Sequence, residues 1–159
     1  GPASDVLGAG ESGTDRVFGN GGDDSVVGRP GGGDLLSGGP GSDQLASDDP
    51  CAGHTYDGGA GRSDVAGFGH VLGGGVEAHL GGRATMRGSP GCSATTIAHS
   101  AEILEGSAQS DLLVGDGRPN LVIGREGDDV LIGRGGRDEL RGDAGGDRCI
   151  DGNAIKLSC

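Results

Sequence analysis

Apolar and polar positions recur along this chain with a period of nine residues. From Gly106 to Ile150 the period runs five times without a break, as GSAQSDLLV, GDGRPNLVI, GREGDDVLI, GRGGRDELR and GDAGGDRCI. Each unit opens with Gly, has Asp or Asn at position six and has an apolar residue at position eight. The Gly-rich opening predicts a tight turn and the last three residues predict a short strand. A fixed period of this kind indicates a stack of equivalent units.

A second block of the same period lies near the N-terminus. Its units are GESGTDRVF, GNGGDDSVV, RPGGGDLLS and GGPGSDQLA, between Gly10 and Ala46, with Gly28 as one extra residue. An incomplete unit with Asp5 and Leu7 precedes them. The two blocks together contain nine full units. The same fold element is therefore predicted on both sides of the segment 47–105.

Position eight is the predicted interior of the molecule. Successive side chains of a strand point to opposite faces, so position eight points one way and positions seven and nine the other. Two units then form one coil, with a turn and a strand on each side, and the coils stack at about 4.8 Å. The inward residues are Val17, Val26, Leu36, Leu45, Leu113, Val122, Leu131, Leu140 and Cys149.

These units resemble the RTX (haemolysin-type) nonapeptide repeat, G-G-x-G-x-D-x-U-x, in which U is a large aliphatic residue. The unit from Gly38 to Ala46 matches it in full. The resemblance covers about half of the chain. It implies an all-β fold, a parallel β-roll that is a right-handed, β-helix-like solenoid built from nonapeptide repeats. It also implies calcium as the ligand, with carbonyl oxygens of the first five positions completing the coordination shell.

The position-six residues carry the predicted metal chemistry. Stacking brings position six of one unit close to position six two units later, as with Asp15 and Asp34. Two carboxylates about 5 Å apart repel by roughly 3 kcal/mol at an effective dielectric of about 20. A calcium ion takes six to eight oxygen ligands and, between the two carboxylates, would turn this repulsion into attraction. Zinc prefers sulfur and imidazole ligands. The candidate ligands are Asp15, Asp24, Asp34, Asp43, Asp64, Asp111, Asn120, Asp129, Asp138 and Asp147. We expect several ions, about five to eight.

Composition supports a metal-dependent fold and excludes one class of partner. The chain has 39 Gly among 159 residues, three aromatic residues and a net charge of −12. Nucleic-acid binders present basic stripes, so no nucleic-acid partner is expected. A chain this acidic and poor in aromatics builds only a thin core. We therefore expect calcium binding to supply the folding free energy.

The four cysteines are predicted to form disulfides. None belongs to a C-x-x-C pair, which argues against zinc or redox chemistry, and an even count suits a secreted protein. Four cysteines allow three pairings. Cys51–Cys92 with Cys149–Cys159 is favoured, since the second bridge would fold the tail over the open end of the roll. Buried free thiols are the alternative.

The segment 47–105 interrupts the period. His70–Leu72 and Val76–Leu80 are predicted strands, and Thr95–Leu104 holds a further apolar run. Asp57 and Asp64 are a possible further metal pair. RTX chains often carry longer strands between repeat blocks, ending in a short acidic motif, and Ala101–Gly106 resembles that ending. One continuous roll is therefore expected, with two rolls joined by a linker as the alternative.

The expected organisation has four parts. They are an N-terminal repeat block (1–46), the irregular segment (47–105), a C-terminal repeat block (106–152) and a disulfide-tethered cap (153–159). No membrane span is visible. The RTX resemblance and the cysteines predict a secreted, extracellular bacterial protein. We expect the chain to be either a fragment of a larger protein or a protein exported with a cleaved N-terminal signal.

The expected function is that of a calcium-binding module and not of an enzyme. His54, His70, His79 and His99 all fall in the irregular segment, but no H-E-x-x-H or G-x-S-x-G motif accompanies them. Outward positions seven and nine predict an apolar face formed by Leu112, Val114, Val130 and Ile132. The irregular segment or another domain would cover this face, or it would serve a protein partner or self-association. The alternatives are therefore an adhesion or partner-binding module, or an accessory domain of a larger secreted hydrolase or toxin.

Overall fold

The computed structural model describes residues 3–89, 91–98, 100–152 and 155–159. These residues form seventeen strands, and no helix occurs among them. The strands are β1 (Val6–Gly8), β2 (Arg16–Phe18), β3 (Ser25–Gly28), β4 (Leu35–Pro40), β5 (Gln44–Ser47), β6 (Thr55–Ala60), β7 (Val65–Gly67), β8 (Val76–His79), β9 (Arg83–Met86), β10 (Thr95–Ile97), β11 (Ile103–Glu105), β12 (Leu112–Val114), β13 (Leu121–Glu126), β14 (Val130–Ile132), β15 (Glu139–Ala144), β16 (Arg148–Ile150) and β17 (Lys156–Ser158).

The strands form two sheets that face each other across a narrow core. Sheet A has eight strands in the order β1-β3-β5-β7-β11-β13-β15-β17. Sheet B has nine, in the order β2-β4-β6-β10-β9-β8-β12-β14-β16. Within the repeat blocks the chain alternates between the sheets and every pairing is parallel. Leu113 lies opposite Leu131, two nine-residue units later, so two units make one coil. The predicted all-β solenoid is confirmed.

The interior is the predicted file of position-eight side chains. Seven of the nine are fully buried, namely Val26, Leu36, Leu45, Leu113, Val122, Leu131 and Leu140. Val17 and Cys149 are half-buried because they lie in the terminal strands of sheet B, where the coil has a neighbour on one side only. Complete burial of such a side chain contributes roughly 1.5–3 kcal/mol, so this file supplies a large part of the apolar stabilisation of the repeat blocks.

The turns depend on left-handed backbone at two repeat positions. Gly136 occupies position four of its unit with φ of 113°. Position two is also left-handed, and there Arg134 adopts φ of 75°. Residues with a Cβ reach this region only at an energetic cost, which explains the Gly at both positions in the full repeat.

Sheet B contains a three-strand meander within the segment 47–105. In sheet A, β7 pairs directly with β11. In sheet B, the strands β10, β9 and β8 lie between β6 and β12, and β9 is antiparallel to both of its neighbours. Both sheets therefore continue through the segment. The rings of Tyr56 and Phe68, with centroids 6.0 Å apart, fill the core beside the meander.

The expected strands of this segment are only partly correct. Val76–Leu80 is confirmed by β8, with Val76, Ala78 and Leu80 all buried. The predicted strand His70–Leu72 is wrong. The N–H of Val71 donates to the carbonyl of Phe68, which closes a local turn, and Leu72 is 90% exposed. The apolar run Thr95–Leu104 is divided into β10 and β11, and His99 lies outside the described residues.

Both favoured disulfides are present. Cys51 pairs with Cys92 at a Cα–Cα distance of 5.1 Å, and Cys149 pairs with Cys159 at 6.1 Å. The first bridge connects the chain before β6 to the chain before β10. The second bridge holds the tail, whose strand β17 pairs with β15 and ends sheet A. Residues 153 and 154 of the expected cap lie outside the described residues.

Candidate metal-binding rows

The position-six side chains form two rows, one along each sheet, and each member immediately precedes its strand. Row A runs along sheet A and consists of Asp5, Asp24, Asp43, Asp64, Glu102, Asn120 and Asp138. Row B runs along sheet B and contains Asp15, Asp34 and His54 at one end and Asp111, Asp129 and Asp147 at the other. All ten predicted ligands therefore belong to one of these rows.

One oxygen of each carboxylate beyond the first coil holds the coils in register. Oδ1 of Asp34 accepts a hydrogen bond from the N–H of Asp15 at 2.9 Å, and Oδ1 of Asp43 accepts one from Asp24 at 2.8 Å. The second block repeats the arrangement, with Asp111 donating to Asp129 and Asp129 to Asp147. Asn120 donates to Asp138 in the same way. The five pairs expected to face each other are thus adjacent.

The other oxygen of several of these carboxylates is buried without a hydrogen-bond partner in the described part of the chain. The residues whose Oδ2 atoms share this property are Asp24, Asp34, Asp43, Asp64, Asp129 and Asp138. An unsatisfied buried polar group costs about 1–3 kcal/mol, and more when it is charged. Six such atoms in two rows are a large penalty for a small domain, and a bound cation would remove it.

The first glycine of each unit leaves room beside these oxygens. A Cβ at Gly124 would overlap Oδ2 of Asp129 and would lie 2.8 Å from the carbonyl oxygen of Gly142 in the next coil. A Cβ at Gly106 would overlap Asp111 and lie 2.9 Å from the carbonyl oxygen of Gly124. Carboxylate and carbonyl oxygens therefore converge where a side chain would otherwise stand. We call this space the glycine cradle of a unit.

Burial makes the negative charge of the rows unfavourable. It is the largest cause that raises the pKa of Asp64 and of Asp129, each to about 6. Neighbouring carboxylates add to the shift, Glu102 and Asp43 at Asp64, and Asp111 and Asp147 at Asp129. Burial also raises the pKa of Asp43, Asp111 and Asp138. The local field at the rows therefore favours a positive charge.

Comparison with protein families agrees with this geometry. The model of the RTX calcium-binding nonapeptide repeat matches the chain in four copies, over residues 9–45, 31–49 and 114–149. This chain carries RTX calcium-binding repeats. No curated protein matches it. Within the described residues, no helix has the length and apolar character needed to cross a membrane.

The donor set of the RTX rows suits calcium. Among the described residues, no group of three or more His, Cys, Asp or Glu side chains could hold a metal ion by itself. An ion in a glycine cradle would therefore rest on one or two carboxylates and on backbone carbonyls. Calcium accepts such an irregular shell of oxygens, whereas zinc and other transition metals favour imidazole and thiolate.

Three members of the RTX rows were not among the predicted ligands. Asp5 begins row A and its N–H donates to Oδ1 of Asp24. Oε2 of Glu102 accepts from the N–H of Asp64 at 3.1 Å, in the place that aspartate holds elsewhere. His54 lies opposite Asp34 in row B. For Glu102 and His54 the sequence did hold a signal, because a buried apolar or aromatic residue, Leu104 or Tyr56, follows two positions later as in the repeats. The irregular spacing of the segment concealed it.

The outward apolar face of the RTX roll is smaller than expected. Val114 is buried, at 3% exposure, between His79 of β8 and Ile132 of β14, so it does not contribute to an open surface. Leu112, Val130 and Ile132 are half-buried, because outward side chains on neighbouring parallel strands cover one another. The large apolar residues with the greatest exposure are Leu72 and Val6, at 90% and 86%.

Proposed function

We propose that this chain is a secreted bacterial calcium-binding module whose roll folds when calcium binds between successive coils. The observation that carries the proposal is the set of buried Oδ2 atoms in rows A and B that lack a hydrogen-bond partner among the described residues. Without a cation these carboxylates repel one another across the coils. With calcium the same oxygens would join each coil to the next.

The candidate ligands are the ten position-six residues predicted from the repeats. In the glycine cradles beside Asp111, Asn120 and Asp129, a backbone carbonyl oxygen of the next coil also lies close. Asn120 is neutral and would contribute Oδ1, which accepts the N–H of Asp116. We expect about five to eight ions in all. Six divalent ions would balance the net charge of −12.

The chemistry of the sites and of the cysteines supports secretion. Sites formed by one carboxylate and several carbonyls are of the weak class, with dissociation constants of about 10⁻⁴–10⁻³ M in extracellular modules. Cytosolic calcium is too scarce to fill them, and the two disulfides persist in an oxidising compartment. The protein would therefore remain unfolded until it meets external calcium. We assign it no catalytic role.

Calcium titration of the chelator-treated, non-reduced protein tests this function by far-UV circular dichroism, with magnesium as the control ion. A cooperative change from coil to β signal with calcium alone is expected. A full β signal in the chelator that calcium leaves unchanged would contradict calcium-driven folding. The roll would then be held by its disulfides and its core.

Partner binding is the second candidate function. It is favoured by Leu112, Val130 and Ile132, which adjoin one another on sheet B and are continued by Ile150, at 39% exposure. Sedimentation of the calcium-loaded protein at increasing concentration tests self-association through this face. A monomer at all concentrations would leave only a partner of different sequence to cover it.

A further inference from the structure

Row B contains a histidine at the position of an aspartate. His54 immediately precedes β6 and lies opposite Asp34, since Leu35 pairs with Thr55. Its side chain is fully buried. Nδ1 of His54 accepts a hydrogen bond from the N–H of Asp34 at 3.1 Å. It thus takes over the role that Oδ1 of Asp34 has toward Asp15.

This hydrogen bond determines which ring nitrogen carries the proton. A backbone N–H can only donate, so Nδ1 must present its lone pair and the proton of the neutral ring lies on Nε2. Oδ2 of Asp34 lies 3.3 Å from the same Nδ1 and is buried without a hydrogen-bond partner in the described chain. The ring is therefore neutral, with an N–H donor at Nε2.

The donor at Nε2 points at Gly28, the extra residue before the unit that contains Asp34. A Cβ at Gly28 would lie 2.9 Å from Nε2 of His54. At Gly19 and Gly124 the corresponding space faces the carboxylate oxygen of Asp24 or Asp129. Nε2 has no hydrogen-bond partner among the described residues. Where Gly19 and Gly124 face a carboxylate oxygen, Gly28 faces the positive end of an N–H bond.

We propose that His54 makes this coil of row B a calcium-excluding position, which separates the calcium sites of row B into two groups. This inference rests on the proposed calcium binding by the other units. Thr95, opposite His54 on β10, and Val76, opposite Asp111, carry no carboxylate, so the gap extends across the whole meander. Row A, in contrast, has an oxygen ligand at every position from Asp5 to Asp138.

A transition metal at the same position is the competing interpretation. It would need the lone pair of Nε2, which would move the proton to Nδ1 and break the hydrogen bond from Asp34. The described residues also offer no third His, Cys, Asp or Glu side chain to complete such a site. The geometry therefore favours a position without metal over one for zinc or nickel.

Counting of bound calcium by native mass spectrometry tests the proposal. His54→Asp restores the repeat, and His54→Glu imitates Glu102 in row A. We expect at least one of these variants to bind one calcium ion more than the wild type. The mirror substitution Asp43→His introduces the imidazole into row A and should bind at least one ion fewer. Circular dichroism in calcium verifies that each variant has folded.

The tautomer of His54 in the calcium-saturated wild type gives a test without substitution. Nitrogen-15 spectra of the imidazole should show a proton on Nε2 and none on Nδ1, with no change when zinc is added. A metal-bound Nε2, or folded His54→Asp and His54→Glu proteins that bind no additional calcium, would overturn the proposal. A wild type that binds no calcium at all would instead refute the proposed function itself.

Discussion

The N–H of Asp43 donates a 2.9 Å hydrogen bond to Oδ1 of Asp64, one coil later in row A. Oδ2 of both residues is buried and has no hydrogen-bond partner in the described chain. One carboxylate therefore performs two tasks, since one oxygen sets the spacing of the coils and the other remains for a cation. The predictions below separate these two tasks.

Asp129→Asn should keep the spacing and weaken the calcium site. The amide oxygen can still accept the N–H of Asp111, which now donates to Oδ1 at 2.8 Å, but the charge is lost. Affinity at such sites follows the charge of the ligands, so the calcium concentration at half-saturation of the site should rise by roughly tenfold. Isothermal titration calorimetry measures it. Asp128→Asn is the matched control, since Asp128 is the adjacent, exposed carboxylate. Equal effects of the two substitutions would show that only net charge matters.

Calcium affinity should increase as the pH is raised toward and above 6. The pKa values of Asp64 and Asp129 are raised from 3.8 to about 6 in the folded chain without calcium. Between these values the calcium-free roll binds more protons than the unfolded chain, so its stability falls as the pH rises. Protons compete with calcium over the same range. Calcium titrations at several pH values between 5 and 7 should show the gain, and Asp64→Asn with Asp129→Asn should reduce it. A calcium concentration at half-saturation that does not change with pH in this range would contradict the assignment of Asp64 and Asp129 as calcium ligands.

Arg134→Gly should stabilise the roll. Arg134 is exposed and has φ of 75°, a conformation that costs a residue with a Cβ about 1–2 kcal/mol. Glycine would remove that cost, but its greater freedom in the unfolded chain offsets part of the gain. The free energy of unfolding should therefore rise by about 1 kcal/mol. Urea unfolding in saturating calcium measures the difference. Gly136→Ala is the opposite control, because its Cβ would lie 2.5 Å from the backbone of Arg118. No gain from the first substitution would show that the turn relaxes around the arginine.

Removal of the Cys51–Cys92 bridge should destabilise the roll at its meander. The bridge closes a loop with a sequence separation of 41 residues. The chain-entropy relation gives a loss of about 4 kcal/mol for a loop of that length. Urea unfolding of the Cys51→Ser, Cys92→Ser double variant in calcium measures it. Cys149→Ser with Cys159→Ser, which opens a loop of separation 10, should lose less, about 3 kcal/mol. A larger loss at the second bridge would mean that the end of the roll, and not the meander, limits its stability.

The repeat determined much of this protein by itself. A nine-residue period with an apolar position eight and an acidic position six predicts the strands, the file from Val26 to Leu140 and the proximity of Asp15 to Asp34, because these follow from the local geometry of a coil. The tertiary structure alone decided the segment 47–105, where the period fails. There the pairing of β8, β9 and β10 joins residues distant in sequence, and it reverses their order in sheet B. Long-range pairing also placed His54 and Glu102 in the two rows, where the apolar residue two positions later was the one local signal. It buried Val114 as well, since neither spacing nor residue type reveals which strand will lie alongside.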